Sequence, residues 1–222
     1  MSAQLPLDLP LEPRFERADF LPAPCNIAAL TMIDRWPDWP DPSLTIIGPA
    51  GSGKSHLAAI WAARAGARIV DPKAPPAVGE LAAAPRALAL DGLDDTMDET
   101  AMFHLVNMAR ETGSALLMTA RRAPGPDWPR LPDLLSRLRR APMVEIGAPD
   151  DELIRAVLDK LFRDRQLLVD PNVSAFAAVR LERSLGAARA FVADIDRAAL
   201  AQGRRVSRAL AAQLLGAVGE QE

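Results

Sequence analysis

The sequence has little of what several common classes of protein require. Cys25 is the only cysteine, which excludes an internal disulfide framework and fits a reducing cytosol. With one cysteine and only two histidines, His56 and His104, a zinc site is not expected. No apolar run is long enough to span a bilayer, and the first residues lack the basic segment of a secretory signal. We therefore expect a cytoplasmic protein without membrane contact.

Length and charge set two further limits. At 222 residues the chain has room for one α/β core and a small second domain. Its formal net charge is −3 and its pI is about 5.5, so the overall field does not favour nucleic acid. Any DNA contact would need a local basic patch, such as Arg121-Arg122 or Arg204-Arg205, but isolated basic pairs on an acidic protein are usually only solvated.

One motif is more specific than any other feature of the chain. It fits the P-loop pattern G-x-x-x-x-G-K-[ST] and consists of Gly48, Pro49, Ala50, Gly51, Ser52, Gly53, Lys54 and Ser55. The glycines let backbone N–H groups face a polyphosphate, the lysine reaches the β- and γ-phosphates, and the serine hydroxyl can bind Mg²⁺. An apolar run precedes the motif and a helix-forming run follows it, whose dipole favours the same anion. A purine nucleotide is therefore predicted, and a glycine-rich turn that binds nothing is the alternative.

Two further polar residues are expected at the same edge of the sheet. The apolar run 87–90 ends in Asp91, and a buried strand of this kind delivers a carboxylate beside the P-loop, where it can hold Mg²⁺ through water. An N-cap at the strand end is the alternative role for Asp91. Thr119 ends the next buried run and is expected to reach the phosphate edge as well.

The order of the elements predicts the fold class. Strand candidates alternate with helices at 44–47, 67–71, 87–91, 115–119 and 143–146. This alternation predicts an α/β fold in which a parallel sheet is covered by helices on both faces.

After residue 149 the strands stop, which indicates a small all-α domain. Four helices are expected at 151–165, 172–182, 184–201 and 207–218. Their inward-facing residues are predicted to be Leu153, Val157, Leu161, Phe191, Ile195 and Leu200. The predicted domains are an extended peptide at 1–13, a nucleotide-binding domain at 14–148 and a helical domain at 149–222.

The residues ahead of the P-loop strand offer two recognition elements. Residues 1–13 contain three prolines and should be extended, and their polar and apolar positions alternate through Gln4, Leu5, Leu7 and Leu9. Such a peptide fits a groove on a partner, and a tail that folds over its own domain is the alternative.

The second element lies at 15–26. An adenine ring favours an apolar or aromatic sandwich with a polar edge contact, and Phe20, Leu21 and Asn26 could supply these groups. Asn26 is also the predicted N-cap of a helix over 26–35. The alternative is that Phe15 and Phe20 are ordinary core residues.

Together these features resemble the AAA+ superfamily and, within it, the DnaA replication-initiator family. The segments that carry the resemblance are 20–26, 46–57, 88–91, 117–124, 131–138 and 184–200. The resemblance implies an AAA+ P-loop sheet with a helical lid, and ADP or ATP with Mg²⁺ as the ligands. The chain ends just after the predicted lid, so we expect no counterpart of the DnaA helix-turn-helix domain and no direct sequence-specific DNA binding.

The peptide at residues 4–9 makes the resemblance more specific. A Gln-Leu-x-Leu-x-Leu sequence ahead of a DnaA-like core is similar to the Hda type of DnaA homologue, which works with the replicative sliding clamp. In this light Gln4, Leu5, Leu7 and Leu9 resemble a clamp-binding motif. The implied partners are the DnaA initiator and the β sliding clamp, and a homodimer is compatible with the same resemblance.

The resemblance assigns roles to individual residues. Gly48 to Ser55 match the Walker A loop, and the backbone of His56 would complete the phosphate cradle. Asp91 matches the Walker B carboxylate. The next residue is acidic in active members but is Gly92 here, and the nearby Asp94 and Asp95 receive no role from the sequence alone.

Three more positions carry family roles. Arg137, within 134–138, resembles the arginine finger, with a surface salt bridge as the alternative. Around sensor 1 the family has an acidic or polar residue, whereas this chain has Thr119 followed by Arg121. The sensor 2 arginine aligns with Gly186, which leaves Arg183 or Arg189 as substitutes.

The resemblance implies a negative regulator of replication initiation. Little intrinsic ATPase activity is expected because Gly92 replaces the usual acid, and Arg137 would act in trans on ATP bound to DnaA. Two alternatives stay open. A non-catalytic adaptor on the clamp would need residues 4–9 but not Arg137, and a helicase-loader-type ATPase would show robust turnover on its own.

Overall fold

The computed structural model describes residues 15–76, 86–94 and 96–218. The predicted clamp-binding residues Gln4, Leu5, Leu7 and Leu9 lie outside these ranges, as does Asp95. Among the described residues, no helix is both long enough and apolar enough to cross a membrane.

The described ranges contain five strands and eight α-helices. The strands are β1 (Ser43–Ile47), β2 (Arg68–Val70), β3 (Ala87–Leu93), β4 (Ala115–Ala120) and β5 (Met143–Glu145). The helices are α1 (Ile27–Arg35), α2 (Lys54–Ala65), α3 (Glu99–Thr112), α4 (Pro132–Leu138), α5 (Asp151–Asp164), α6 (Val173–Ala178), α7 (Leu185–Gln202) and α8 (Arg208–Val218). A short 3₁₀ turn, Arg17–Asp19, precedes α1.

The five strands form one sheet in the order β2-β3-β4-β1-β5, and every neighbouring pair is parallel. The predicted α/β class is therefore confirmed. Because the strands run in one direction, their carboxyl ends meet at a single edge of the sheet. β4 lies between β3 and β1, so the residues that follow these three strands come together there.

Side chains from successive strand residues enter two different core layers. In β3, Leu88 and Leu90 pack with α3 and α4, whereas Ala87 and Ala89 pack with α1 and α2. This alternation follows from the two-residue period of a strand, and both faces of the sheet are covered. The near-continuous apolar runs of the sequence are thus explained by burial on both sides.

Helices α5 to α8 share a third cluster, drawn only from residues between Ile154 and Ala211. One predicted inward residue is wrong: Leu200 is 62% exposed, while Ala199 is buried. From Phe191 the buried face continues through Ile195 to Ala199, in steps of four residues. At about 100° per residue, Leu200 is rotated roughly a quarter turn beyond Ala199 and lies off this buried face. The helix predicted over 172–182 is also shorter than expected and ends at Ala178.

The helical domain offers a matched test of this packing. Leu158 has no exposed surface, and Leu200 is an exposed leucine in a neighbouring helix. We expect Leu158→Ala to lower the free energy of unfolding by about 2–5 kcal/mol, because it leaves a cavity, and Leu200→Ala to change it by less than about 0.5 kcal/mol. Urea unfolding of both variants measures the difference, and comparable losses would contradict the assigned faces.

Candidate functional site

The P-loop connects β1 to α2 at the carboxyl edge of the sheet. The Gly48 N–H donates to the Ala120 carbonyl at 3.2 Å, which ties the start of the loop to the end of β4. At Gly51 the backbone is left-handed, with φ +69°, and an added Cβ would lie 2.1 Å from Ser184 Oγ. A side chain at Gly51 is therefore excluded both by its backbone conformation and by the helical domain above it.

Lys54 is the first residue of α2, where the helix dipole favours an anion. Its Nζ donates to the carbonyl oxygens of Gly48 and Pro49, each at 2.7 Å, so the ammonium lies over the loop. Burial lowers the pKa of Lys54; the Asp91 carboxylate raises it and the Arg121 guanidinium lowers it. Both of these charges therefore act at the P-loop lysine.

A cavity with a volume of about 550 cubic Å opens beside the loop, which is within the range typical of small-molecule sites. The predicted residues that line it are Ala50, Gly51, Lys54, Ser55, Asp91, Gly92, Thr119 and Arg121. Asp71 and Lys73, which follow β2, line it as well. Sequence reasoning gave these two no role, although Asp71 ends a predicted strand at the edge where ligands of parallel sheets bind.

Thr119 links Asp91 to Gly92. Its hydroxyl donates to Asp91 Oδ1 at 2.6 Å and accepts from the Gly92 N–H at 2.8 Å. Leu90 and Leu93 pair with Met118 and Ala120, so Asp91 and Gly92 together oppose the single residue Thr119 in a bulge. Gly92 has φ +93°, and no carboxylate follows Asp91 directly. The alternative N-cap role of Asp91 is not observed, because Asp98 caps the next helix, α3.

Asp94 lines the cavity but is engaged with its own loop. Its Oδ1 accepts from the Thr96 N–H and hydroxyl at 2.8 and 2.6 Å, and its Oδ2 lies 3.5 Å from Lys73 Nζ. The Thr96 hydrogen bonds and the Lys73 charge lower the pKa of Asp94, which makes it a weaker proton acceptor. Asp94 is thus a poor candidate for the acidic residue that the sequence resemblance leads one to expect after Asp91.

The cavity suits a magnesium ion bound together with phosphate. Ser55 and Asp91 offer a hydroxyl and a carboxylate, the oxygen ligands that Mg²⁺ prefers, and one Asp91 oxygen is oriented by Thr119. Mg²⁺ commonly takes only one or two protein ligands, with the others from water and phosphate. In the described ranges no group of three or more His, Cys, Asp or Glu side chains could hold a metal by itself.

The helical domain contacts the P-loop through the start of α7. The Leu185 N–H donates to the Gly51 carbonyl at 2.9 Å, and Ser184 caps the helix by accepting from the Gly186 and Ala187 N–H groups. Gly186, the residue that the sequence resemblance aligns with sensor 2, therefore lies beside Gly51 but has no side chain that could contact a ligand.

The two substitute sensor 2 arginines lie elsewhere. Arg183 is 67% exposed and pairs with Asp151 at 3.4 Å, and the Arg189 guanidinium lies 5.6 Å from the Phe15 ring. Neither lines the cavity. Among the described residues, the lid therefore brings no arginine into this site.

The residues predicted to surround the base pack against the protein itself. Phe20 is buried in the core beside α1 and α2, and its ring centroid lies 5.2 Å from that of His56. His56 also contacts Phe15, with Nε2 3.1 Å from the Glu16 carbonyl oxygen, and burial lowers the pKa of its imidazole. Phe20 thus has the core role that was the alternative, and it does not line the cavity.

Asn26 occupies the N-cap position of α1, but its side chain makes no capping hydrogen bond, contrary to the prediction. It instead accepts from the Ala23 N–H at 2.8 Å and donates to the Leu21 carbonyl at 3.0 Å. Asn26 therefore stabilises the turn before the helix. Neither Leu21 nor Asn26 lines the cavity.

Arg137 lies at the opposite edge of the sheet. It lines a crevice at the amino ends of β1 and β4 that also includes Arg110 and Arg140. Its guanidinium lies 4.6 Å from the Phe103 ring, and its Nε donates to Asn107 Oδ1. No carboxylate in the described ranges pairs with it, so the alternative of a surface salt bridge is not observed there.

Two buried threonines on neighbouring strands test the Thr119 contacts. Thr119 makes the two hydrogen bonds given above, whereas the Thr45 hydroxyl has no partner among the described residues. We expect Thr119→Val to lower the free energy of unfolding by about 1–3 kcal/mol, because it removes the acceptor of the Gly92 N–H and the donor to Asp91, and Thr45→Val to be neutral or stabilising. Thermal unfolding measures both, and equal effects would contradict the assigned bonding.

The comparisons with known proteins concern the fold. No family model matches the sequence. The structure is similar to domain III of the Thermotoga maritima replication initiation protein DnaA, with a TM-score of 0.75 and 18% identity over 94% of this chain and 98% of that one.

Longer proteins show the same likeness over part of their length. AMPPCP-bound DnaA from Aquifex aeolicus has a TM-score of 0.66 and 16% identity, covering 84% of this chain and 66% of that one. The Thermotoga maritima RuvB Holliday junction branch migration motor has a TM-score of 0.63 and 13% identity, covering 87% and 66%. The chain thus has the AAA+ fold of DnaA domain III and RuvB: a five-stranded parallel sheet with helices on both faces, followed by a helical region.

Proposed function

We propose that this chain is a nucleotide-binding AAA+ protein that negatively regulates replication initiation. It turns over ATP slowly by itself and stimulates ATP hydrolysis by DnaA while tethered to the DNA-loaded sliding clamp. The observation that carries this proposal is that the candidate phosphate site and Arg137 lie at opposite edges of the same sheet. The P-loop edge has a phosphate site without the acid that follows Asp91 in active members, and Arg137 lies at the other edge.

Nucleotide binding is supported by the chemistry of the cavity. Lys54, the backbone of the P-loop and the start of α2 meet at one side of a space large enough for a small ligand. Asp91 and Ser55 are available for Mg²⁺ at the same place. DnaA of the same fold has been solved with AMPPCP, which supports an adenine nucleotide, ADP or ATP, as the ligand here.

Slow hydrolysis follows from the residues beside Asp91. A water that attacks the terminal phosphate needs a positioned group that orients it and accepts its proton. Gly92 has no side chain, and Asp94 is held by Thr96 and Lys73 with a lowered pKa. The site therefore supports binding better than turnover.

Arg137 is suited to act on a nucleotide held by another subunit. It lines no part of its own chain's nucleotide cavity, and its contacts with Phe103 and Asn107 fix the side chain along α3. An arginine supplied in trans stabilises the charge of the phosphoryl-transfer transition state and is worth roughly 10³–10⁵ in rate. DnaA is the proposed recipient, and hydrolysis would convert it to the ADP form.

The clamp tether is the part of the proposal that comes from sequence. The alternating leucines at 5, 7 and 9 follow Gln4 in a proline-punctuated peptide, a pattern that fits an apolar groove. Tethering raises the effective concentration of Arg137 near DnaA on DNA that carries a clamp. The regulator would then act mainly after replication has begun.

The first prediction concerns Arg137. We expect Arg137→Ala to lower clamp-dependent hydrolysis of DnaA-bound ATP by roughly 10³-fold, or to the unstimulated rate, because the trans charge is lost. The measurement follows conversion of pre-bound ATP to ADP on DnaA, with this protein and DNA-loaded clamp present. Arg139→Ala is the matched control, since Arg139 is an exposed neighbour at the end of the same helix.

Several outcomes distinguish this function from its alternatives. Unchanged nucleotide affinity of Arg137→Ala verifies that its P-loop site is intact. Full stimulation by Arg137→Ala would contradict the finger and favour a non-catalytic adaptor. Rapid ATP turnover by the isolated chain would instead favour a helicase-loader-type ATPase.

The second prediction concerns the peptide. We expect the double variant Leu5→Ala/Leu7→Ala to bind the sliding clamp at least about tenfold more weakly, because it truncates two leucine side chains that are proposed to enter an apolar groove of the clamp. Surface plasmon resonance on immobilised clamp measures this loss, with Ser2→Ala as the control. Unaltered clamp affinity of the double variant would contradict the tether.

A further inference from the structure

Four exposed arginines lie near one another in the helical domain. Arg180 follows α6, Arg204 and Arg205 belong to the loop between α7 and α8, and Arg208 is the first residue of α8. In the sequence, Arg204-Arg205 is one of the basic pairs expected to be only solvated. The fold adds Arg180, from a separate segment, to this pair and to Arg208. We call these four residues the arginine face.

Phe176, in α6, connects the two segments of the arginine face. The guanidinium carbon of Arg180 lies 4.0 Å from the centroid of the Phe176 ring, and that of Arg208 lies 4.8 Å from it. Arg180 Nη1 also donates to the Phe176 carbonyl at 3.0 Å. The loop between α7 and α8 is tied to the segment before α6, because the Asp170 N–H donates to the Val206 carbonyl at 3.0 Å. One aromatic ring and the backbone therefore hold these arginines at one place on the domain.

Carboxylates do not neutralise the arginine face. Another exposed arginine of the domain, Arg197, forms an ion pair with Asp194 at 3.3 Å. Within the described ranges no carboxylate lies at ion-pair distance from the four arginines, and this includes the neighbouring Asp170 and Glu182. Residues 198–218 contain no acidic side chain. Positive charge is therefore concentrated here, on a protein whose formal net charge is −3.

Helix stability does not explain these arginines. The N-terminus of a helix carries a partial positive charge, so acidic residues stabilise it and basic residues oppose it. Helix α8 nevertheless begins with Arg208, and its first turn contains no acidic residue. Arg204 and Arg205 precede it, and their exposed side chains make no hydrogen bond among the described residues. The arrangement is electrostatically unfavourable for the chain alone, and a bound anion would relieve it.

A polymer of phosphates fits the arginine face best. A guanidinium offers a planar pair of donors that matches phosphate oxygens. Because Arg180 and Arg208 are already stacked on Phe176, they lose less freedom when they bind. Several such groups on one exposed surface suit a repeating anion better than a single one, and duplex DNA presents about one phosphate per 1.7 Å of its axis. The proposed tether to a DNA-loaded clamp keeps a duplex beside this chain.

We propose that the arginine face binds the phosphate backbone of duplex DNA without reading its sequence. This inference goes beyond the proposed function and takes from it only the nearness of a duplex. The face is the local basic patch that DNA binding requires on an acidic protein. Arg204 and Arg205 then contact DNA instead of being only solvated. The helical domain is held against the DNA that carries the clamp.

Fluorescence anisotropy of a labelled duplex, titrated with the full chain in the absence of clamp, tests the proposal. At about 50 mM salt we expect Arg204→Ala/Arg205→Ala to weaken binding at least about tenfold, because two phosphate contacts are lost. The slope of log affinity against log salt concentration should become shallower by about 2. Two duplexes of unrelated sequence should bind the wild-type chain within about threefold of each other, since phosphate contacts carry no sequence information.

The matched control is Arg17→Ala/Arg197→Ala, which removes the same total charge. Both of these arginines are exposed and already pair with carboxylates, Arg17 with Asp34 and Arg197 with Asp194. We expect this control to weaken DNA binding by less than about threefold, because neither residue belongs to the arginine face. Thermal unfolding of both double variants verifies that the fold is intact.

Several results would overturn the proposal. They are a wild-type chain that does not bind the duplex, equal weakening by the two double variants, and a strong preference for one duplex sequence. Binding to phosphatidylglycerol vesicles that only Arg204→Ala/Arg205→Ala loses, with its DNA binding unchanged, would assign the face to an anionic membrane surface instead. Clamp affinity and stimulation of DnaA are measured separately. Their failure overturns the proposed function, whereas absent duplex binding alone overturns only the arginine face.

Discussion

The parallel alignment of five strands is the constraint on which the rest of the structure depends. It brings the carboxyl ends of β1, β3 and β4 to one edge, where the P-loop, Asp91 and Thr119 meet around a single cavity. The same alignment puts the amino ends of β1 and β4 at the other edge, where Arg137 lies. One sheet thus separates the candidate nucleotide site from the residue proposed to act on a partner's nucleotide.

Within that edge, Thr119 connects Asp91 to Gly92. Its hydroxyl satisfies the Gly92 N–H and orients Asp91, so a two-residue bulge is held at the end of β3. The left-handed backbone of Gly92 belongs to this bulge and disfavours a side chain at that position. Ser55 and Asp91 line the cavity as the proposed Mg²⁺ ligands, and Gly92 offers no side chain beside them.

The helical domain contributes backbone rather than charge to the phosphate site. Leu185 donates its N–H to the Gly51 carbonyl, and the glycine at 186 lets the start of α7 approach the loop. The two candidate lid arginines lie elsewhere: Arg183 pairs with Asp151, and Arg189 lies near the Phe15 ring. Positive charge in the cavity comes instead from Lys54 at the start of α2, from Lys73 after β2 and from Arg121 after β4.

Much of this architecture was determined by sequence alone, because contiguous residues encode it. The P-loop pattern, the buried strand runs and the change to helices after residue 149 all depend on local conformational preference and hydrophobic period. The same period failed at Leu200, where one residue of helical phase, about 100°, moves the side chain off the buried face. Only the tertiary structure decided the bonds of Thr119, the turn held by Asn26, the proximity of Arg121 to Lys54 and the packing of Arg137 on Phe103. Most of these contacts join distant parts of the chain, and the geometry that brings such parts together exists only once strands and helices have packed.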